Sequence, residues 1–221
     1  MGPGPAFRAP TCYNGVTMNL PNKLTVARCI LTAFFVLFLS IHNVYSFAIG
    51  YVVFVVAAIT DYYDGKIARE RNLVTNFGKL LDPVADKVLV VAAFVMLLGI
   101  PAMQVPPWAV VLILAREFLV TGARSLGASQ GIVIPANKWG KMKTILQMVY
   151  VCTFLFLVVV LQALEQYPAI GDSIPGDVTL YIAGIGTASM WAIIFVALYT
   201  VYSGVQFARL NWKSLGLDSL S

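Results

Sequence analysis

An all-α, polytopic membrane fold with six transmembrane helices follows from three features of the sequence. Of 221 residues, 59% are hydrophobic and only 11% charged, against roughly 25% charged in soluble domains. The apolar residues fall in six blocks, at about 24–41, 47–67, 82–100, 106–128, 139–164 and 178–208. A helix needs about 20 such residues to cross a hydrocarbon layer of roughly 30 Å. Finally, Lys and Arg gather on one side of these blocks, as the positive-inside rule requires of a membrane protein.

In chain order, residues 1–17 are rich in Pro and Gly and lack the basic-then-apolar order of a secretory signal. Ala6 stands where a myristoylation site has Ser or Thr. This stretch is expected to be a flexible N-terminal extension. Residues 18–213 read as a single six-helix domain, with no internal repeat, and 214–221 as a C-terminal tail.

The first block opens with PNKLTVAR, where Asn22, Thr25 and Arg28 lie at i, i+3 and i+6 after Pro21. The second and third blocks flank the stretch DYYDGKIARERNLVTNFGKLLDPVADK, residues 61–87, which carries four aspartates. Pro83 fits the first position of a third helix capped by Asp82. The fourth block holds Arg116 near mid-depth, where a charge marks a functional site by default. The fifth starts with NKWGKMKT, and the sixth is longer than the membrane requires, so it should tilt or project. Cys12, Cys29 and Cys152 are too scattered for a disulfide framework.

Orientation follows from the cations. With the N-terminus in the cytoplasm, Arg8, Lys23, Arg28, Lys66, Arg69, Arg71, Lys79, Lys87, Arg124, Lys138, Lys141, Lys143, Arg209 and Lys213 all fall at the inner side. The outer segments near 42–46, 101–105 and 165–177 contain no Lys or Arg. Both termini are therefore expected in the cytoplasm. The formal net charge of +5 then reports membrane orientation, not nucleic-acid binding.

The aspartates need a reason. A carboxylate costs roughly 2.5–3.5 kcal/mol at the centre of a membrane helix. At about 100° per residue, Asp64, Gly65 and Ala68 all fall within about 60° of Asp61, so acids and small residues share one stripe. Asp82 and Asp86 are four apart, again on one face. Four facing carboxylates match the charge of two Mg²⁺ (or Mn²⁺), hard cations that prefer oxygen ligands. Two metals are also a standard clamp for the attacking and leaving oxygens of phosphoryl transfer. A helix cap or a membrane-edge residue would account for any one of these acids, but not for all four with small residues between them.

The pattern Asp61-x₂-Asp64-Gly65-x₂-Ala68-Arg69-x₈-Gly78-x₃-Asp82-x₃-Asp86 resembles the signature of the CDP-alcohol phosphotransferase family at every fixed position. The resemblance implies an integral-membrane enzyme, a homodimer, that moves a lipid phosphoryl group from a CDP-linked lipid to an alcohol and releases CMP. It implies that Asp61, Asp64, Asp82 and Asp86 bind metal and that Asp86 is also the general base. Gly65, Ala68, Arg69 and Gly78 then sit at nucleotide and CDP-lipid positions, with Asn22, Thr25 and Arg28 as further candidates.

PNKLTVAR (21–28), LAREFLVTGAR (114–124) and NKWGKMKT (137–144) resemble the branch of the family whose donor is CDP-diacylglycerol and whose acceptor is glycerol 3-phosphate. That acceptor is a dianion, and Arg116, Arg124, Lys141 and Lys143 are the candidate phosphate ligands. Arg116 and Arg124 lie about 80° apart on one helix; Lys141 and Lys143 lie about 200° apart. Lys143 shares a polar stripe with Gln147 and Tyr150, which favours it as the inward residue. Lys138, Lys141 and Lys143 would equally serve as a topological anchor on anionic headgroups. Glu117 points about 100° away from Arg116 and reads as support for the fold.

The active site is expected at the cytoplasmic face of the cell (inner) membrane, where lipid donor and soluble acceptor meet. Phosphatidylinositol phosphate or cardiolipin synthesis would keep the aspartates and change the cationic pocket. A divalent-cation or proton-coupled transporter would also bury acids. It would need polar groups along a path to the outer face, and the outer halves of the blocks are almost wholly apolar.

Overall fold

The computed structural model describes residues 20–41, 43–71, 76–129, 138–167 and 177–211, with backbone alone at 20–25, 61–71 and 76–86. Among the described residues the chain forms six α-helices and no strand. These are α1 (Leu20–Ser40), α2 (Val44–Arg71), α3 (Asn76–Leu98), α4 (Pro107–Ser129), α5 (Lys138–Gln166) and α6 (Val178–Asn211). A short 3₁₀ turn, Pro101–Met103, joins α3 to α4.

Each helix has a sequence reason. Pro21 and Pro107 sit in the first turns of α1 and α4, where a missing N–H costs nothing. At α6 the Asp177 carboxylate accepts from the Thr179 amide at 2.9 Å, and its own carbonyl accepts from the Leu180 amide at 3.0 Å. With 29 and 34 residues, α5 and α6 run about 44 and 51 Å, beyond the hydrocarbon thickness. These two are long and apolar enough to cross a membrane; Val26–Ser40, Val44–Thr60 and Lys87–Leu98 are shorter apolar stretches. In α4 the only charges are Arg116, Glu117 and Arg124.

One boundary corrects the sequence reading. Pro83 does not open α3 and Asp82 does not cap it, because the helix is already continuous from Asn76. An interior proline removes one backbone hydrogen bond. Membrane helices tolerate that loss where neighbouring elements or local adjustments satisfy the freed carbonyl. Gly78, Asp82 and Asp86 thereby occupy successive i, i+4 positions of one helix.

Two helix groups share the core. In the first, α1 packs on α2 and α3, with the Phe35 and Phe54 rings 5.4 Å apart and Leu39 fully covered. In the second, α6 packs on α4 and α5, and α5 reaches back to α2 and α3. Phe94, Tyr150 and Phe154 join the groups, with centroids at 5.9 and 4.7 Å. The 3₁₀ turn seats against α6 at Gly186, where a Cβ would lie 2.5 Å from the Ala102 carbonyl oxygen. Large apolar side chains such as Val52, Val95, Leu119, Ile145 and Phe195 point outward from their helices. So much exposed apolar surface suits a lipid solvent, not water.

Candidate active site

Asp61, Asp64, Gly65, Ala68 and Arg69 lie on the last turns of α2, and Gly78, Asp82 and Asp86 on the first turns of α3. These helix segments are consecutive in the chain, and α2 packs against α3. The side chains of 61–86, like those of Asn22 and Thr25, lie outside the described residues. Arg28 is half-buried on α1. Among the described residues no group of three His, Cys, Asp or Glu could hold a metal. The donor set that fits hard divalent cations is the four aspartates, all oxygen ligands carried by two adjoining helices.

Beside them the described side chains build a buried polar cluster where α3, α4, α5 and α6 meet. Its hub is Glu117, 4% exposed. Lys87 of α3 donates to Glu117 Oε2 at 2.5 Å, and Lys143 of α5 forms an ion pair with Oε1. Arg116 Nη1 stands 3.6 Å from Oε1, and Gln147 Nε2 donates to it at 3.4 Å. Gln147 also reaches Thr200 of α6, at 3.3 Å. Deeper along the same faces, Tyr150 and Ser189 share a hydrogen bond of 2.9 Å.

Arg116 is buried and donates from Nη2 to Ser203 at 2.7 Å. Its aliphatic stem passes α6 at Gly204, where a Cβ would come 3.0 Å from Arg116 Cγ. Two turns along α4, Arg124 lies over the Phe207 ring at 5.3 Å, a cation–π geometry. The Nε–H groups of Arg116 and Arg124 are buried without a hydrogen-bond partner among the described residues. Buried donors without partners are rare.

Lys143 takes the buried side of α5 together with Gln147 and Tyr150, whereas Lys141 is exposed and stands apart from the cluster. Sequence reasoning missed the parts that four residues play. Lys87 reads there as a loop-edge cation, yet it reaches α4. Thr200 and Ser203 vanish into the hydropathy of the last block, although with Ser189 they share one face within about 60°. Glu117 reads as supporting the fold more than the chemistry; the adjacent opposite charges of Arg116-Glu117 within an apolar helix were the available signal.

Known proteins match this sequence. The sequence model of the family described as CDP-alcohol phosphatidyltransferase matches residues 18–199. A Rickettsia prowazekii (strain Madrid E) protein named CDP-diacylglycerol–glycerol-3-phosphate 3-phosphatidyltransferase is 37% identical over 188 residues, covering 85% of this chain and 94% of its own. A Bacillus subtilis (strain 168) protein of the same name is 36% identical over 211 residues, covering 89% and 97%. One from Mycoplasma pneumoniae (strain ATCC 29342 / M129 / Subtype 1) is 32% identical over 173 residues, covering 70% and 75%. With the family's model matched over most of its length, and its aspartates on two adjoining helices beside a cationic cluster, this chain belongs to the CDP-alcohol phosphatidyltransferase family.

Proposed function

We propose that this chain transfers the phosphatidyl group of CDP-diacylglycerol to glycerol 3-phosphate, giving phosphatidylglycerophosphate and CMP. The observation that carries the choice of acceptor is the pair of buried Nε–H groups, on Arg116 and Arg124, that have no hydrogen-bond partner among the described residues. Counted over Arg116, Arg124, Lys87, Lys143 and Glu117, four cations and one carboxylate leave an excess of positive charge, which suits a phosphate monoester dianion. The names of the relatives point the same way.

In this reading residues 18–213 form the catalytic domain. Asp61, Asp64, Asp82 and Asp86 would hold two Mg²⁺ or Mn²⁺, which would act as Lewis acids on the diphosphate oxygens. Gly65, Ala68, Arg69 and Gly78, with Asn22, Thr25 and Arg28, line the CDP-lipid side. Arg116, Arg124 and Lys143 orient the acceptor through its phosphate, and Lys141 serves as a headgroup anchor. Asp86 takes the proton of the acceptor hydroxyl. The hydroxyl oxygen bonds to the phosphorus attached to diacylglycerol, and the bond from that phosphorus to the CMP oxygen breaks, with the electron pair leaving on CMP.

The distribution of Lys and Arg supports six spans in the inner membrane, both termini in the cytoplasm and the site on that face. The family resemblance supports a homodimer. The test is CMP release by the purified protein in detergent with CDP-diacylglycerol and Mg²⁺, one acceptor at a time. Release with glycerol 3-phosphate alone is expected. Release only with inositol 1-phosphate or phosphatidylglycerol would reassign the acceptor. No release with any acceptor, from folded protein, would remove the enzymatic reading.

A further inference from the structure

Glu117 has more than the fold to account for. One carboxylate on α4 receives a lysine from α3, a lysine from α5 and the flank of its neighbour Arg116, all at a buried position. A helix bundle that needed only cohesion would lose nothing with apolar residues here, since a buried ion cluster seldom outperforms well-packed hydrophobic groups. The arrangement is also directional. Lys87 engages Oε2, while Lys143, Gln147 and Arg116 approach Oε1. Lys87 and Arg116 both stand close enough to Lys143 to repel it. The shared carboxylate lets these cations sit together without an anion from outside.

Two consequences meet at the site. Lys87 follows Asp86 directly in α3, so its bond to Glu117 ties the turn bearing the proposed base to the turn bearing Arg116. Lys143 is drawn to the same carboxylate, beside arginines whose Nε–H groups have no partner among the described residues. We infer that Glu117 is the positioning residue of the acceptor pocket: its carboxylate fixes Lys143 and Lys87 against α4, so that an alcohol phosphate held by Arg116 and Arg124 meets a preassembled cationic wall in register with α3. The inference rests on the proposed transfer to glycerol 3-phosphate.

The experiment uses the full chain in detergent, with CMP release followed while glycerol 3-phosphate and CDP-diacylglycerol are varied separately. Glu117→Gln keeps the volume and the contact with Gln147 but loses the charge. It should raise KM for glycerol 3-phosphate by 10-fold or more, leave KM for CDP-diacylglycerol within two-fold, and lower kcat less than it raises the acceptor KM. Glu117→Asp should recover part of the loss. Lys143→Gln should reproduce the acceptor defect, and the double variant should be no worse than the more affected single one, because both act through one contact. Should Glu117→Gln fail to fold, Lys143→Gln and Glu117→Asp carry the test. An unchanged acceptor KM in the folded variants, equal rises in both KM values, or additive losses in the double variant would overturn the inference. Wild-type protein that releases CMP but not with glycerol 3-phosphate would instead overturn the acceptor reading beneath it.

Discussion

The two helix groups are held together by different chemistry. Between α1 and α2 the described ring and side-chain contacts include Phe35 against Phe54, and Leu39 over Gly50. The buried polar side chain on α1, Thr32, turns back to its own helix and donates to the Arg28 carbonyl at 2.9 Å. Between α4, α5 and α6 the contacts include Arg116 with Ser203, Lys143 with Glu117, Gln147 with Thr200 and Tyr150 with Ser189. In lipid, apolar packing sustains association without a hydrophobic drive, and interhelical hydrogen bonds add only modest energy. The second group therefore carries more buried polarity than cohesion demands. Its surplus is explained by a ligand, while the described contact between α1 and α2 is explained by packing.

That contrast can be broken most sharply at the base. Asp86→Asn should lower kcat by about 10³-fold, within the usual range for general acid–base catalysis, with CDP-lipid binding retained in a filter or fluorescence assay. Near-normal turnover would detach the aspartate helices from the chemistry. Next, Arg116→Ala should raise the acceptor KM on the order of 100-fold, as expected for a buried, charge-assisted contact, while KM for CDP-diacylglycerol stays put. Equal effects on both substrates would make Arg116 a structural residue.

On the apolar side, Phe54→Ala should cost roughly 3–5 kcal/mol of stability on the scale of buried aromatic truncations. It would appear as a lower thermal midpoint with unchanged KM values in the protein that remains folded. An acceptor-specific KM change there would erase the distinction between the groups. The smallest effect belongs to Ser203→Ala. Removing one interhelical hydrogen bond in a membrane costs about 0.6 kcal/mol on average, near three-fold in acceptor KM, with little change in thermal midpoint.

The comparison also explains what could be read in advance. Helix existence was legible because each apolar block is long, and the signature aspartates were legible because they lie within one short stretch. The start of α3 was not: Pro83 is a strong local stop signal, overridden within a continuous helix. The burial of Lys143 with Gln147 and Tyr150 could be read from helical spacing, a local property. The lysine partners of Glu117 could not, since they come from α3 and α5, and no periodicity within α4 reports them. Thr200 and Ser203 were hidden for a related reason. Hydropathy averages across a helix, whereas a hydrogen bond uses one face of it.

The seat of α6 on the 3₁₀ turn has a mechanical consequence. At Gly186 the helix backbone lies so near the Ala102 carbonyl that even a methyl group would collide. From there α6 runs without interruption to Ser203, about 26 Å along its axis. A rigid rod stopped at one end has its other end at a fixed height. The hydroxyl that Arg116 grips is thus gauged from the opposite side of the molecule, and α6 cannot slide by a turn at one end and keep its grip at the other.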